Sequence, residues 1–174
     1  MHEIMKPVNL TARLKVLTEL IEDGTSVVDI GTDHGYLPVY LAQTGSSCRI
    51  IASDISAASL EAARKTADKY NVTDSITFRV AQGLDGIDPD DVDTVVIAGM
   101  GGETIKSIIE EAPWTKSQNK TLILQPQSKI DVLFRFLYDN NYEINKIRYV
   151  QDRGKFFTVI CIKRKESVYY GECK

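Results

Sequence analysis

The chain has 174 residues, of which 43% are hydrophobic and 26% charged, with a formal net charge of −3. A chain of that length buries a core without help from disulfides or metal, and its composition excludes collagen, extended disorder and a disulfide-stapled miniprotein. Apolar runs such as Val95-Val96-Ile97-Ala98 are too short to cross a bilayer as a helix, and the opening Met1-His2-Glu3-Ile4-Met5 lacks the apolar stretch of a secretory signal.

Asn9 is placed to cap a first helix whose Leu10, Leu14, Leu17 and Ile21 follow the helical period, with Gly24 just past its end. The run Ser26-Val27-Val28-Asp29-Ile30 reads as a buried strand ending at Gly31. A helix over residues 36–43 follows, with Pro38 tolerated in its first turn. Arg49-Ile50-Ile51-Ala52-Ser53 is a second strand, and Ser56 caps a long helix over residues 57–70 closed by Asn71. Residues 76–80 and 94–98 are strands, 103–111 a helix, and 121–124 a fifth strand. Ser128 and Asp131 form a capping signature ahead of a helix with Ile130, Leu133, Phe134 and Leu137 on its apolar side. Two strand-like runs, 142–150 and 156–163, close the order. The loop Gln151-Asp152-Arg153-Gly154 between them is too short for a parallel crossover, so they pair as an antiparallel hairpin.

Continuous apolar strands separated by helices imply an α/β fold, a Rossmann-like doubly wound sheet that is mostly parallel and ends in that hairpin. No repeat or linker divides the chain. Ligands of such sheets sit beyond the carboxyl ends of the strands, where strand order reverses, so the segments after strands one, two and four carry the interest. Cys48, Cys161 and Cys173 are scattered without a Cys-x-x-Cys pair, so neither a zinc site nor a disulfide framework is expected. Residues 1–128 carry 11 basic and 18 acidic side chains, whereas residues 129–165 carry 9 basic and 4 acidic. An acidic body with a basic C-terminal third either grips phosphates on one face or is an ordinary solvated surface.

After the first strand, Asp29-Ile30-Gly31-Thr32-Asp33-His34-Gly35 sets two glycines around a polar tripeptide at a strand-to-helix turn. The spacing is neither Gly-x-Gly-x-x-Gly nor a P-loop. Asp29 and Asp33 repel phosphate and welcome a cation, which suits the ammonium and sulfonium of S-adenosylmethionine better than a dinucleotide. Asp54, closing the second strand ahead of Ile55, is positioned to accept both hydroxyls of an adenosine ribose. Gln82-Gly83 stands where an adenine edge can be read, or is a plain turn. Ala98-Gly99-Met100-Gly101-Gly102 places three glycines ahead of a helix, either for close approach to the reacting groups or for tight packing.

These segments resemble class I S-adenosylmethionine-dependent methyltransferases, which implies a sheet of about seven strands. Three are similar to the bacterial tRNA (adenine-22-N1)-methyltransferase family: Asp29-Ile-Gly-Thr-Asp-His-Gly-Tyr-Leu-Pro38, Ala98-Gly-Met-Gly-Gly102 and Leu122-Ile-Leu-Gln-Pro126, with Leu10-Thr-Ala-Arg13-Leu14 fitting the opening helix. The resemblance implies S-adenosylmethionine as methyl donor and N1 of a tRNA adenine as acceptor. It also implies a helical C-terminal extension, for which residues 166–174 are too short, so the expected organisation is a domain over 1–165 and a short tail. A cytoplasmic monomer without membrane or metal partner is expected.

Residue reading and resemblance together assign the site. The cofactor residues are Asp29, Gly31, Gly35, Asp54, Ile55, Gln82, Gly83, Ala98, Gly99 and Met100, and the catalytic ones Asp33, His34 and Tyr36. The acceptor falls to Arg13, Gly101, Gly102, Gln125 and Pro126, with Lys129, Arg135, Arg148, Arg153 and Lys155 as further phosphate contacts. Asp33 either faces the charge that develops on the base or holds the donor's ammonium. Two other functions stay open: a methyltransferase for a small molecule or protein amine, and a non-catalytic cofactor- or RNA-binding module.

Overall fold

A computed structural model describes residues 6–163, which build one seven-stranded sheet with helices on both faces. The elements are α1 (Ala12–Leu20), β1 (Ser26–Ile30), α2 (Tyr36–Thr44), β2 (Arg49–Asp54), α3 (Ala57–Lys69), β3 (Thr77–Val80), β4 (Thr94–Gly101), α4 (Gly102–Glu111), β5 (Thr121–Ser128), α5 (Ile130–Asp139), β6 (Lys146–Asp152) and β7 (Lys155–Ile162). Across the sheet they run β3-β2-β1-β4-β5-β7-β6. The five strands from β3 to β5 are parallel, and β7 is antiparallel to both β5 and β6. The reversal of strand order falls between β1 and β4. The expected boundary at residue 165, the tail 166–174 and Cys173 lie outside the described residues. Among the described residues, no helix is long and apolar enough to cross a membrane.

The central strands β1, β2, β4 and β5 are buried along most of their length because each supplies two cores. Val27, Ile50, Val96 and Ile123 join Leu17 of α1, Leu37 of α2 and Ala67 of α3 on one face. Their neighbours Val28, Ile51, Val95 and Leu122 join Ile105 and Ile109 of α4 and Leu133 and Leu137 of α5 on the other. The two-residue period of a strand sends successive side chains to opposite faces, so burial on both replaces the alternation of a half-exposed sheet.

The boundaries differ from the sequence expectations in several places. Thr11, not Asn9, caps α1: its hydroxyl accepts the Leu14 N–H at 3.4 Å, while Leu10 is buried ahead of the helix. The Ser128/Asp131 cap does not form, because β5 extends through Ser128 and pairs it with Gly101. Lys129, at φ 52°, takes the cap position with no side-chain hydrogen bond. β6 begins at Lys146, since Tyr142 and Ile144 turn into the α4–α5 core. The hairpin loop shrinks to Arg153-Gly154, both with positive φ (49° and 76°), the two-residue turn that matches the twist of its strands.

Candidate active site

The turn after β1 is pinned to the end of β2. The Gly31 and Thr32 N–H groups both donate to the Ser53 carbonyl, at 2.8 and 3.1 Å, and the Gly35 N–H closes back on the Thr32 carbonyl at 2.9 Å. Gly31, Asp33 and Gly35 all have positive φ, a path that Asp tolerates better than most side chains. Asp54 completes the tie, accepting the Asp33 N–H at 3.2 Å and the Ser56 N–H at 2.9 Å. An ionised carboxylate offers about four acceptor positions, so Asp54 keeps capacity for a diol.

The two glycines of this turn answer different needs. A Cβ at Gly31 would lie 2.3 Å from the Met100 Cε, whereas one at Gly35 would lie 2.8 Å from the Ala63 Cβ of α3. Gly31 thus leaves room across the cleft, and Gly35 lets α2 seat against α3. Helix packing and the positive φ together demand glycine at position 35. Gly102 is similar: a Cβ there would meet the Lys129 carbonyl oxygen at 2.1 Å.

β4 continues past the expected end at Ala98. Its pairing with β5 shifts register between Ala98 and Met100 and again before Gly101, a bulge in which Gly99 has φ 78°. The Gly99 N–H freed from the ladder donates to the Gln125 Oε1 at 3.1 Å. The same oxygen accepts from the Arg13 Nη1 at 2.7 Å, and the Gln125 Nε2 donates to the Pro126 carbonyl at 3.0 Å. Gln125 and Pro126, expected at the acceptor, are therefore inside the protein. Gln125 is fully buried and works as a strut that fixes the bulge and aims Arg13. Arg13 is held further by stacking 5.5 Å over the Phe157 ring.

Around these loops lies one groove in two lobes. The first, a cavity of ≈ 470 Å³, is lined by Arg13, Asp29, Asp33, His34, Tyr36 and Gln127 among others. The second, of ≈ 320 Å³, is lined by Asp54, Ile55, Gln82, Gly83 and the α4 side chains Thr104, Ser107 and Glu111. Gly31 and Met100 line both, so the Met100 side chain is the partition between them. Asp29, 7% exposed, faces the first lobe. Burial pushes its carboxyl up to about 7; the Asp54 carboxylate adds to the rise, while Thr32 and the Arg13 guanidinium oppose it. Asp33 and His34 stand at the mouth, well exposed and 3.8 Å apart. The His34 and Tyr36 rings lie 5.9 Å apart. Ile55 is 69% exposed, an apolar surface beside the second lobe with nothing packed over it.

The site lies at the strand-order reversal of a fold that known proteins share. Residues 10–160 match the family described as "Methyltransferase domain". The tRNA (adenine(22)-N(1))-methyltransferase of Bacillus subtilis is 30% identical over 169 residues, 96% of this chain and 71% of that protein. The chain belongs to the tRNA (adenine-22-N1)-methyltransferase family. The solved M1A22 tRNA methyltransferase of B. subtilis superposes with a TM-score of 0.84 at 29% identity, covering 91% of this chain and 68% of that one. A Streptococcus pneumoniae protein solved in complex with S-adenosyl-L-methionine gives 0.83 at 30% identity, covering 92% and 77%. A Mycoplasma capricolum relative solved with S-adenosyl-homocysteine gives 0.79 at 28% identity, covering 94% and 72%.

In this member of the tRNA (adenine-22-N1)-methyltransferase family, several lining residues carried no sequence signal strong enough to single them out. Gln127 is the exposed polar residue just beyond the buried Pro126. Thr104, Ser107 and Glu111 share one helical stripe on α4. Arg153, expected on a phosphate, lines the first lobe from the hairpin turn. Arg148 instead pairs with Glu19 of α1 at 3.3 Å, and Arg135 lies in a separate groove between α4 and α5.

Proposed function

We propose that this protein transfers a methyl group from S-adenosylmethionine to N1 of adenine 22 in tRNA, with the donor across the two lobes and the base at the mouth of the first. The observation that carries the reading is the two-lobed groove itself, with a desolvated carboxyl in one lobe and a carboxylate with spare acceptor capacity in the other. The residues fit the donor. Asp29 gains a counter-charge from an ammonium group, Asp54 has lone pairs left for ribose hydroxyls, and Ile55 and Gln82 offer an apolar face and a polar edge to adenine.

When bound, S-adenosylmethionine supplies a methyl group on a positively charged sulfur. Adenine N1 brings a neutral lone pair, so no residue has to remove a proton before attack. The demand on the protein is alignment and a negative group where charge appears on the methylated base. Asp29 is the buried carboxyl suited to the ammonium, which leaves Asp33, exposed at the mouth, to face the base. His34 and Tyr36 flank that position, and Tyr36 is 43% exposed and available to stack. N1 lies on the pairing edge, so a paired adenine must leave its stack to reach them. The working unit proposed is a monomer. The domain proposed runs to residue 165, acting in the cytoplasm on tRNA.

The test is incubation of unmodified tRNA with labelled donor, followed by nucleoside analysis. One 1-methyladenosine per tRNA is expected, and none from a transcript carrying guanine at position 22. Label in free nucleosides or metabolites, with none in tRNA, decides for a small-molecule acceptor instead.

A further inference from the structure

The C-terminal hairpin carries a surface that the methyl-transfer groove does not use. In its register Ile147 faces Ile160, Tyr149 faces Thr158 and Gln151 faces Phe156, so these side chains share one face. At the inner end of that face Ile160 is in the core beneath α4 and α5, with Ile147 beside it 38% exposed. At its outer end Tyr149 is 74% exposed and Phe156 77%. The two rings are diagonal neighbours, the spacing at which aromatic side chains form a continuous surface. The opposite face is occupied: Val150 packs into the α1-side core, Phe157 lies under Arg13, and Asp152 accepts the Arg13 N–H at 3.3 Å.

Charge identifies the kind of partner. Residues 146–157 hold Lys146, Arg148, Arg153 and Lys155 against Asp152, and with Arg148 paired to Glu19 of α1 a local excess of +2 remains in a chain whose net charge is −3. β6 runs parallel to β5, so its turn lies at the carboxyl end of the sheet, and Arg153 in that turn lines the acceptor lobe. Exposed rings with a basic rim beside a groove for one flipped base match single-stranded nucleic acid, whose bases stack on aromatic faces while cations track the phosphates.

We propose that Tyr149 and Phe156 form a stacking platform for unpaired bases of the tRNA next to the methylated adenine, with Arg153 and Lys155 on the adjoining phosphates. This rests on the tRNA reading of the groove. Withdrawing one adenine from its stack leaves neighbouring bases unstacked, and the platform receives them.

Fluorescence anisotropy with an unmodified tRNA transcript tests it. Tyr149→Ala with Phe156→Ala is expected to weaken tRNA binding at least tenfold. The same pair leaves S-adenosylmethionine affinity unchanged and keeps the slope of log affinity against log salt. Tyr149→Phe retains wild-type affinity. Arg153→Gln with Lys155→Gln flattens the salt slope by about 1.5. Unchanged tRNA affinity in the double alanine variant, with the wild type still methylating tRNA, overturns the platform and leaves the methylation reading intact. A wild type that binds the donor but neither binds nor methylates tRNA overturns both. Self-association of the wild type that the alanine pair dissolves, with tRNA affinity intact, overturns the platform in favour of a contact between copies.

Discussion

Asp29 and Asp33, four residues apart on either side of Gly31, live in different media. Asp29 is buried at the end of β1 with its pKa pushed up to about 7, whereas the unfolded chain ionises it at its ordinary 3.8. Between those values the folded state holds a proton that the unfolded state has lost, so stability falls as pH rises through the window and levels off above about 7. Asp29→Asn, which cannot ionise, is predicted to raise the urea midpoint relative to wild type at pH 8, with the gain shrinking towards pH 5. Asp33 is exposed at the mouth of the first lobe. Asp33→Ala is predicted to lower kcat about a hundredfold or more at saturating donor, with donor affinity within about threefold of wild type. The reverse pattern, weak donor binding with kcat retained, assigns Asp33 to the ammonium. Both carboxylates were legible in the sequence as an acidic loop after a strand. Their division of labour was not, because burial depends on how α1 and the β4 bulge close over Asp29.

At the scale of elements, periodicity located the five α-helices and seven strands of the described residues, which pack a stripe or a face against one of two cores. What it missed were the ends. Asn9 and Thr11 both suit a helix cap, and the choice falls to the one whose hydroxyl reaches Leu14 once Leu10 is buried. Thr11→Ala is predicted to cost about 1 kcal/mol in urea unfolding, and Asn9→Ala only a few tenths. The Ser128 cap failed because the sheet claimed that residue first through its pairing with Gly101. The glycines of the fourth-strand segment were legible as demanding but not as to why. Gly99 bends a bulge fed by Gln125, and Gly102 lets Lys129 pass. Gly102→Ala is predicted to destabilise by about 3 kcal/mol through overpacking against backbone. Gly45→Ala, with positive φ but nothing within 4 Å, is predicted to cost about 1 kcal/mol.

For the whole molecule, the parallel sheet and its reversed hairpin followed from the order of elements, and the reversal point located the groove. The sequence did not reveal that Arg13 and Arg153, 140 positions apart, line the same lobe, or that Met100 divides the groove against Gly31. The first depends on α1 packing against the β6–β7 hairpin and the second on β4 lying beside β1, contacts that no local pattern encodes. The proposed function adds one requirement: a cationic donor settles beside Asp29 and displaces its proton. Titration calorimetry of S-adenosylmethionine from pH 6 to 8.5 measures this directly. The account predicts binding whose affinity climbs by up to about tenfold per pH unit below about 7 and then levels, a climb that Asp29→Asn abolishes. A protein that takes up neither the donor nor its demethylated product, or a wild type whose affinity is flat across that range, contradicts it.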